Sequence, residues 1–121
     1  MNQKDPEIQQ AILELKEKTN LSQVQIATLT DQSESMRNRI DEIVKSKKTL
    51  QEFDSSTETY IACGRMFILK KHCEVLRSLE DERKLVANIL NKNDDKIDTL
   101  RSRIKLSEDN LRGLITSKLK A

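Results

Sequence analysis

Apolar residues recur at alternating steps of four and three along two stretches of nearly equal length, and little else in this chain is periodic. The first stretch reads Ile8, Ile12, Leu15, Thr19, Ser22, Ile26, Leu29, Ser33, Met36, Ile40, Ile43, Lys47 and Leu50. The second reads Leu69, His72, Leu76, Leu79, Arg83, Val86, Leu90, Asn93, Ile97, Leu100, Ile104, Ser107, Leu111, Leu114 and Lys118. This spacing keeps one narrow stripe of a helix facing a partner helix. Between the arrays lies TYIACGRMFILK, residues 59–70, rich in β-branched and aromatic types and split by Gly64. A helix, a hairpin and a second helix of matched length imply a chain folded back on itself.

The pattern also specifies a register. In an antiparallel pair each array runs past the other, and one alignment sets Ile12 against Leu114, Leu15 against Leu111, Ile26 against Leu100 and Leu50 against Leu76. It also matches polar with polar, Thr19 with Ser107 and Ser33 with Asn93. A slide of one heptad would set Ser33 against Val86 or Leu100, and a buried polar group without a partner costs about 1–3 kcal/mol. The same alignment places the turn at Cys63-Gly64. Lys47 and Arg83 then face apolar residues and must carry their charges outward along extended stems. Ser22 opposite Ile104 fits less well.

Composition excludes much. Charged residues make up 35% of the 121 and aromatics 2%, the balance of a coiled coil rather than a globular core. Glycines are confined to Gly64 and Gly113 and proline to Pro6, so long helices are permitted elsewhere. A net charge of +2 with both signs interspersed gives no strong pull toward nucleic acid or membrane. No apolar run approaches the roughly 20 residues that span a bilayer, and MNQKDPEIQQ offers no signal-peptide core. Two cysteines are too few for a disulfide framework, and a reducing, cytoplasmic setting is expected.

The expected organisation is one domain over residues 1–121. Helix 1 runs over about 6–52, opened by Asp5 as N-cap, Pro6 at the first position and Glu7 on the positive dipole end. A hairpin follows over about 58–70, then helix 2 over about 71–118. Each helix would measure roughly 65–70 Å. The start of helix 2 lacks a Ser, Thr, Asp or Asn cap, and Gly113 is expected to let its last two turns fray. Simple alternation puts Tyr60, Ala62, Met66 and Ile68 on one hairpin face and Ile61, Cys63, Phe67 and Leu69 on the other. Both faces are mostly apolar and both call for burial, yet a solitary two-stranded hairpin is marginal in water. The covering strands must come from other chains, unless the hairpin packs on the base of its own coiled coil.

Tyr60, the run Gly64-Arg65-Met66-Phe67-Ile68-Leu69 and the distal run Glu108-Asp109-Asn110-Leu111-Arg112 resemble those of β-class prefoldin subunits, over a helix–hairpin–helix pattern that covers the whole length. Cys63 before the glycine and the missing cap of helix 2 depart from that pattern. The resemblance implies an all-α dominated fold, a long antiparallel two-helix coiled coil joined by one β-hairpin that assembles with hairpins of other chains. It implies a hetero-hexamer in which this chain joins two α-type and three further β-type subunits. It further implies capture of unfolded actin and tubulin clients and their delivery to the cytosolic chaperonin without ATP. Tyr60, Ile61, Gly64, Met66, Phe67, Ile68 and Leu69 would be the assembly residues.

Client contact has a physical basis in the residues. The chain ends lie opposite the hinge, where Leu13, Leu21, Val24, Leu106, Ile115 and Leu119 fall off the seam. Exposed apolar surface there is costly unless something binds it. The expected client residues are Ile8, Ile12, Leu13, Leu15, Leu111, Leu114, Ile115 and Leu119, the seam members exposed by fraying. Scatter of surface apolar residues is the plainer explanation. Catalysis, cofactor and metal are not expected. There is no phosphate loop, His72 reads as a packed or snorkelling histidine, and Cys63, Cys73 and His72 fall short of a zinc set. A structural or tethering coiled-coil adaptor is the alternative function. A leucine zipper on DNA would need a basic region, and residues 1–20 offer only Lys4, Lys16 and Lys18.

Overall fold

The computed structural model describes residues 5–120. Helix α1 spans Pro6–Gln51, strand β1 Thr59–Cys63, strand β2 Met66–Lys70 and helix α2 His72–Lys120. The start of α1 follows from its residues: Asp5 Oδ1 accepts the Glu7 amide at 2.9 Å, and Pro6 occupies the first helical position. Every seam position anticipated from Ile8 to Leu50, and from His72 to Lys118, is buried or half-buried. Leu69 departs from the second array because it belongs to β2, where it is exposed.

The chain divides into two compact units. Residues 1–32 with 93–121 form one. There the helix ends run antiparallel: Asn93 Nδ2 donates to Gln32 Oε1 at 3.5 Å, and Lys118 Nζ lies 2.7 Å from Glu7 and 3.4 Å from Asp5. A slide of one heptad would carry Gln32 to Val86 or Leu100, so the derived register holds in this unit. Its polar rationale needs correction, however. The Asn93 amide is taken by Gln32, while Ser33 Oγ is buried with no hydrogen-bond partner. The matching of apolar rows, not a satisfied Ser33, holds the alignment. The expected fraying also does not occur: α2 continues through Gly113 to Lys120. Seam packing on both sides of one glycine outweighs its intrinsic cost of about 1 kcal/mol.

Residues 33–92 form the second unit, with the hairpin. Ile43 is fully buried on its seam. Arg39 Nε lies 2.7 Å from Glu82 Oε1, and Lys47 Nζ lies 2.6 Å from Glu80 Oε2, which also receives Arg83. Lys47 and Arg83 thus carry their charges to one shared carboxylate at the seam's edge, as their long stems allow. Uncapped in sequence, α2 begins where the Lys71 carbonyl accepts the Glu74 and Val75 amides. His72 is buried, and its Nε2 lies 2.6 Å from the Leu50 carbonyl. A carbonyl only accepts, so Nε2 carries the proton and satisfies a last-turn orphan acceptor of α1.

Candidate functional site

Strand β1 pairs antiparallel with β2, Cys63 opposite Met66, Ala62 opposite Phe67, Ile61 opposite Ile68 and Tyr60 opposite Leu69. Gly64 and Arg65 are therefore the two-residue loop. Gly64 has φ of 62°, and no other described residue has a positive φ. A positive φ at the first loop position alone is the pattern of a type II′ hairpin, which glycine adopts without strain. The turn lies at Gly64-Arg65, a step beyond the expected Cys63-Gly64, because the two connections differ in length. Residues 52–58 join α1 to β1, whereas Lys71 alone joins β2 to α2.

This loop reorders the faces. Directly paired residues point to the same side of a sheet. Tyr60, Ala62, Phe67 and Leu69 therefore share one face, and Ile61, Cys63, Met66 and Ile68 the other. The expected faces assumed uninterrupted alternation, but a two-residue loop reverses the parity of β2 relative to β1. Both corrected faces remain apolar. They are not covered within the chain: Phe67 is 74% exposed, Met66 66% and Ile68 48%. Packing of the hairpin on its own helices, the alternative open at the sequence level, is not what the structure shows. Only Ile61, at the centre of β1, is half-buried among these apolar residues. Tyr60 donates its hydroxyl to Glu58 at 3.0 Å, and that bond to a carboxylate raises the phenol above its ordinary range. The two strand edges are open, so each hairpin offers apolar faces and unpaired backbone groups together.

The chain matches the family model described as a prefoldin subunit over residues 7–118. The chain belongs to the prefoldin subunit family. Its fold is that of the prefoldin beta subunit from Thermococcus strain KS-1, with a TM-score of 0.78 at 14% identity, covering 94% of this chain and 96% of that one. No curated protein matches it. Prefoldin is a non-enzymatic chaperone family, so the chain is a chaperone subunit rather than an enzyme. Membership also implies assembly with other prefoldin subunits. No helix among the described residues is long and apolar enough to cross a membrane.

The residues expected at the client surface divide into two classes. Ile8, Ile12 and Leu15 on α1, with Leu111, Leu114 and Ile115 on α2, are half-buried along the paired helix ends. Leu13 and Leu119 stand clear of the seam, 55% and 74% exposed. The seam members Ile8, Ile12, Leu15, Leu111 and Leu114 are thus not released by unwinding; what they offer, with Ile115 beside them, is the visible edge of a packed row. Lys118 closes this end, held above its ordinary range chiefly by its bond to Glu7. Partial desolvation pushes Asp5 up, but the Glu7 and Ile8 amides and Lys118 outweigh it, leaving its carboxyl below the usual range. His72 was legible only as a packed histidine; its cap on Leu50 depends on a neighbour 22 positions away. Cys63 and Cys73 are free and exposed.

Proposed function

We propose that this chain is a β-class subunit, of the subunit 1 type, in a hetero-hexameric, ATP-independent co-chaperone of the cytoplasm. In this reading residues 1–121 act as a single prefoldin-type domain. Its hairpin joins those of two α-type and three further β-type subunits, with Gly64 setting the turn and Tyr60, Ile61, Met66, Phe67, Ile68 and Leu69 supplying the apolar contacts. The paired helix ends capture non-native proteins of the actin and tubulin class and pass them to the cytosolic chaperonin. Family membership favours this over a tethering adaptor, which has no need of a hairpin apolar on both sides.

The observation that carries the client part is the persistence of Leu13 and Leu119 in solvent beside a half-buried row of Ile8, Ile12, Leu15, Leu111, Leu114 and Ile115. Such surface gains from a partner of similar character, and weak sites held together on one assembly gain through effective concentration. The test is the paired change Leu13→Ser and Leu119→Ser. Both positions are exposed, so stability should move by less than about 0.5 kcal/mol. Assembly should persist while light scattering of a diluted, denatured client rises at equal complex concentration. Undiminished protection, both with this pair and with residues 1–12 and 112–121 removed from an intact assembly, would remove this subunit's helix ends from client capture.

A further inference from the structure

The unit formed by the helix ends carries a second surface, on the flank of the seam away from Leu13 and Leu119. It is a groove between α1 and α2. Leu29 and Leu100 form its floor at one end, and Leu15 and Ile104 do so farther along. Its walls carry Leu21, Val24 and Leu106, each exposed over more than half its surface. Lys18 on one wall and Lys96 and Arg103 on the other stand over this apolar floor, against a single lining carboxylate, Asp95. None of the three cations has an ion-pair partner among the described residues, whereas Arg39, Lys47, Arg83, Arg112 and Lys118 all do.

We infer that this groove docks an amphipathic helix of a partner protein that carries acidic residues on both flanks of its apolar stripe. Length fits: Lys18 to Leu29 covers about 17 Å of α1, three turns of a guest helix. Chemistry fits: an apolar row at helical spacing fills a groove between two helices, and carboxylates on either side of that row meet Lys18 on one wall and Lys96 and Arg103 on the other. Unpaired cations facing one carboxylate select by charge and speed encounter more than they add affinity. A nucleic-acid strand fits less well. Phe53, Tyr60 and Phe67, the chain's aromatic residues, all belong to the other unit, so the groove has no platform on which bases could stack.

The test uses the full-length chain and two fluorescent 16-residue peptides with the same leucine stripe, one flanked by glutamates and one by lysines, followed by anisotropy. The acidic peptide should bind at least tenfold more tightly than the basic one. Lys96→Glu with Arg103→Glu should reverse that preference. Leu21→Ser with Leu106→Ser should weaken both peptides at least tenfold, while Val44→Ser with Leu85→Ser, exposed positions of the other unit, should change neither. All these side chains are exposed, so circular dichroism should stay that of the unaltered chain. Equal binding of the two peptides, binding of neither, indifference to the groove changes, or tighter binding of single-stranded RNA would each overturn the inference. The client reading stands or falls separately, on Leu13 and Leu119.

Discussion

The hairpin and the paired helix ends both leave apolar side chains in water, but they do so in different ways. On the hairpin, eight side chains of two short strands are arranged by backbone pairing, with Gly64 setting the turn, and both sheet edges are open. A partner must match strand direction, register and face, so this surface suits one geometry. At the helix ends Leu13 and Leu119 lie on one flank and Leu21, Val24 and Leu106 on the other, separated by charged residues and carrying no free backbone groups. The flank of Leu13 and Leu119 asks only for apolar side chains, the groove flank asks for carboxylates as well, and neither imposes a strand register. Defined assembly and adaptable contact thus call for different secondary structure, and one chain provides both.

Charging the hairpin should do the most damage. Phe67→Asp and Ile68→Asp strike opposite faces, so each reports on one side of the sheet. A carboxylate buried without a partner is severely unfavourable. Either change should abolish assembly with other prefoldin subunits, read by native mass spectrometry, while circular dichroism of the chain remains helical. If Phe67→Asp alone blocks assembly, the Ile68 face is open in the complex and the two-sided reading fails.

A geometry-specific hairpin also needs a fixed mounting. Buried His72 supplies one by tying the first turn of α2 to the last turn of α1. His72→Ala removes that donor, strands the Leu50 carbonyl and leaves a void. The expected cost is about 2–3 kcal/mol in chemical denaturation. A loss below about 0.5 kcal/mol, the scale of an ordinary surface change, would show that the strands are held without it.

How much of this was legible in the residues follows from what kind of signal each feature sends. Seam membership was legible because a period is repeated many times, and no single misfit such as Lys47 or Ser22 can shift it. Asp5-Pro6-Glu7 was legible because a cap is local. The hairpin's faces were not, since they hinge on whether the loop takes two residues or three, and Gly64 alone leaves that open. The cap made by His72 on Leu50 depends on where two helices end. The groove holding Lys18, Lys96 and Arg103 depends on a register combined with heptad position, and each half of the pattern shows nothing by itself. Ser33 misleads because a facing polar position looks like a partner, whereas Gln32 reaches the Asn93 amide instead.

Ser33 also yields a smaller effect, of opposite sign. It is 1% exposed and its hydroxyl is unpaired. Ser33→Ala removes an unsatisfied buried group and improves helix propensity, so stability should rise by about 1–2 kcal/mol. The apolar rows already hold the register, so the pair Gln32→Cys and Asn93→Cys in this background, with Cys63 and Cys73 replaced, should still crosslink. Destabilisation by Ser33→Ala would mean that the hydroxyl has a partner in solution.

The smallest effect concerns charge beside the hairpin unit's seam. Arg83 first, then Lys47, hold the Glu80 carboxyl at about 2, well below its ordinary 4.5. The folded value is the depressed one, so the contribution of this group is complete above pH 4.5 and disappears as pH falls toward 2. Glu80→Gln removes the charge at every pH. The variant should therefore melt slightly below the unaltered chain at neutral pH, and the gap should close across that acid window. Glu82, lowered by Arg39, titrates in both proteins and cancels from the difference. Because the Glu80 cluster is partly open to water, salt should narrow the neutral-pH gap as well. A gap that stays constant from neutral pH to about 2 would assign the effect of Glu80 to packing rather than to its charge, and would leave the seam's apolar rows as the whole support of this unit.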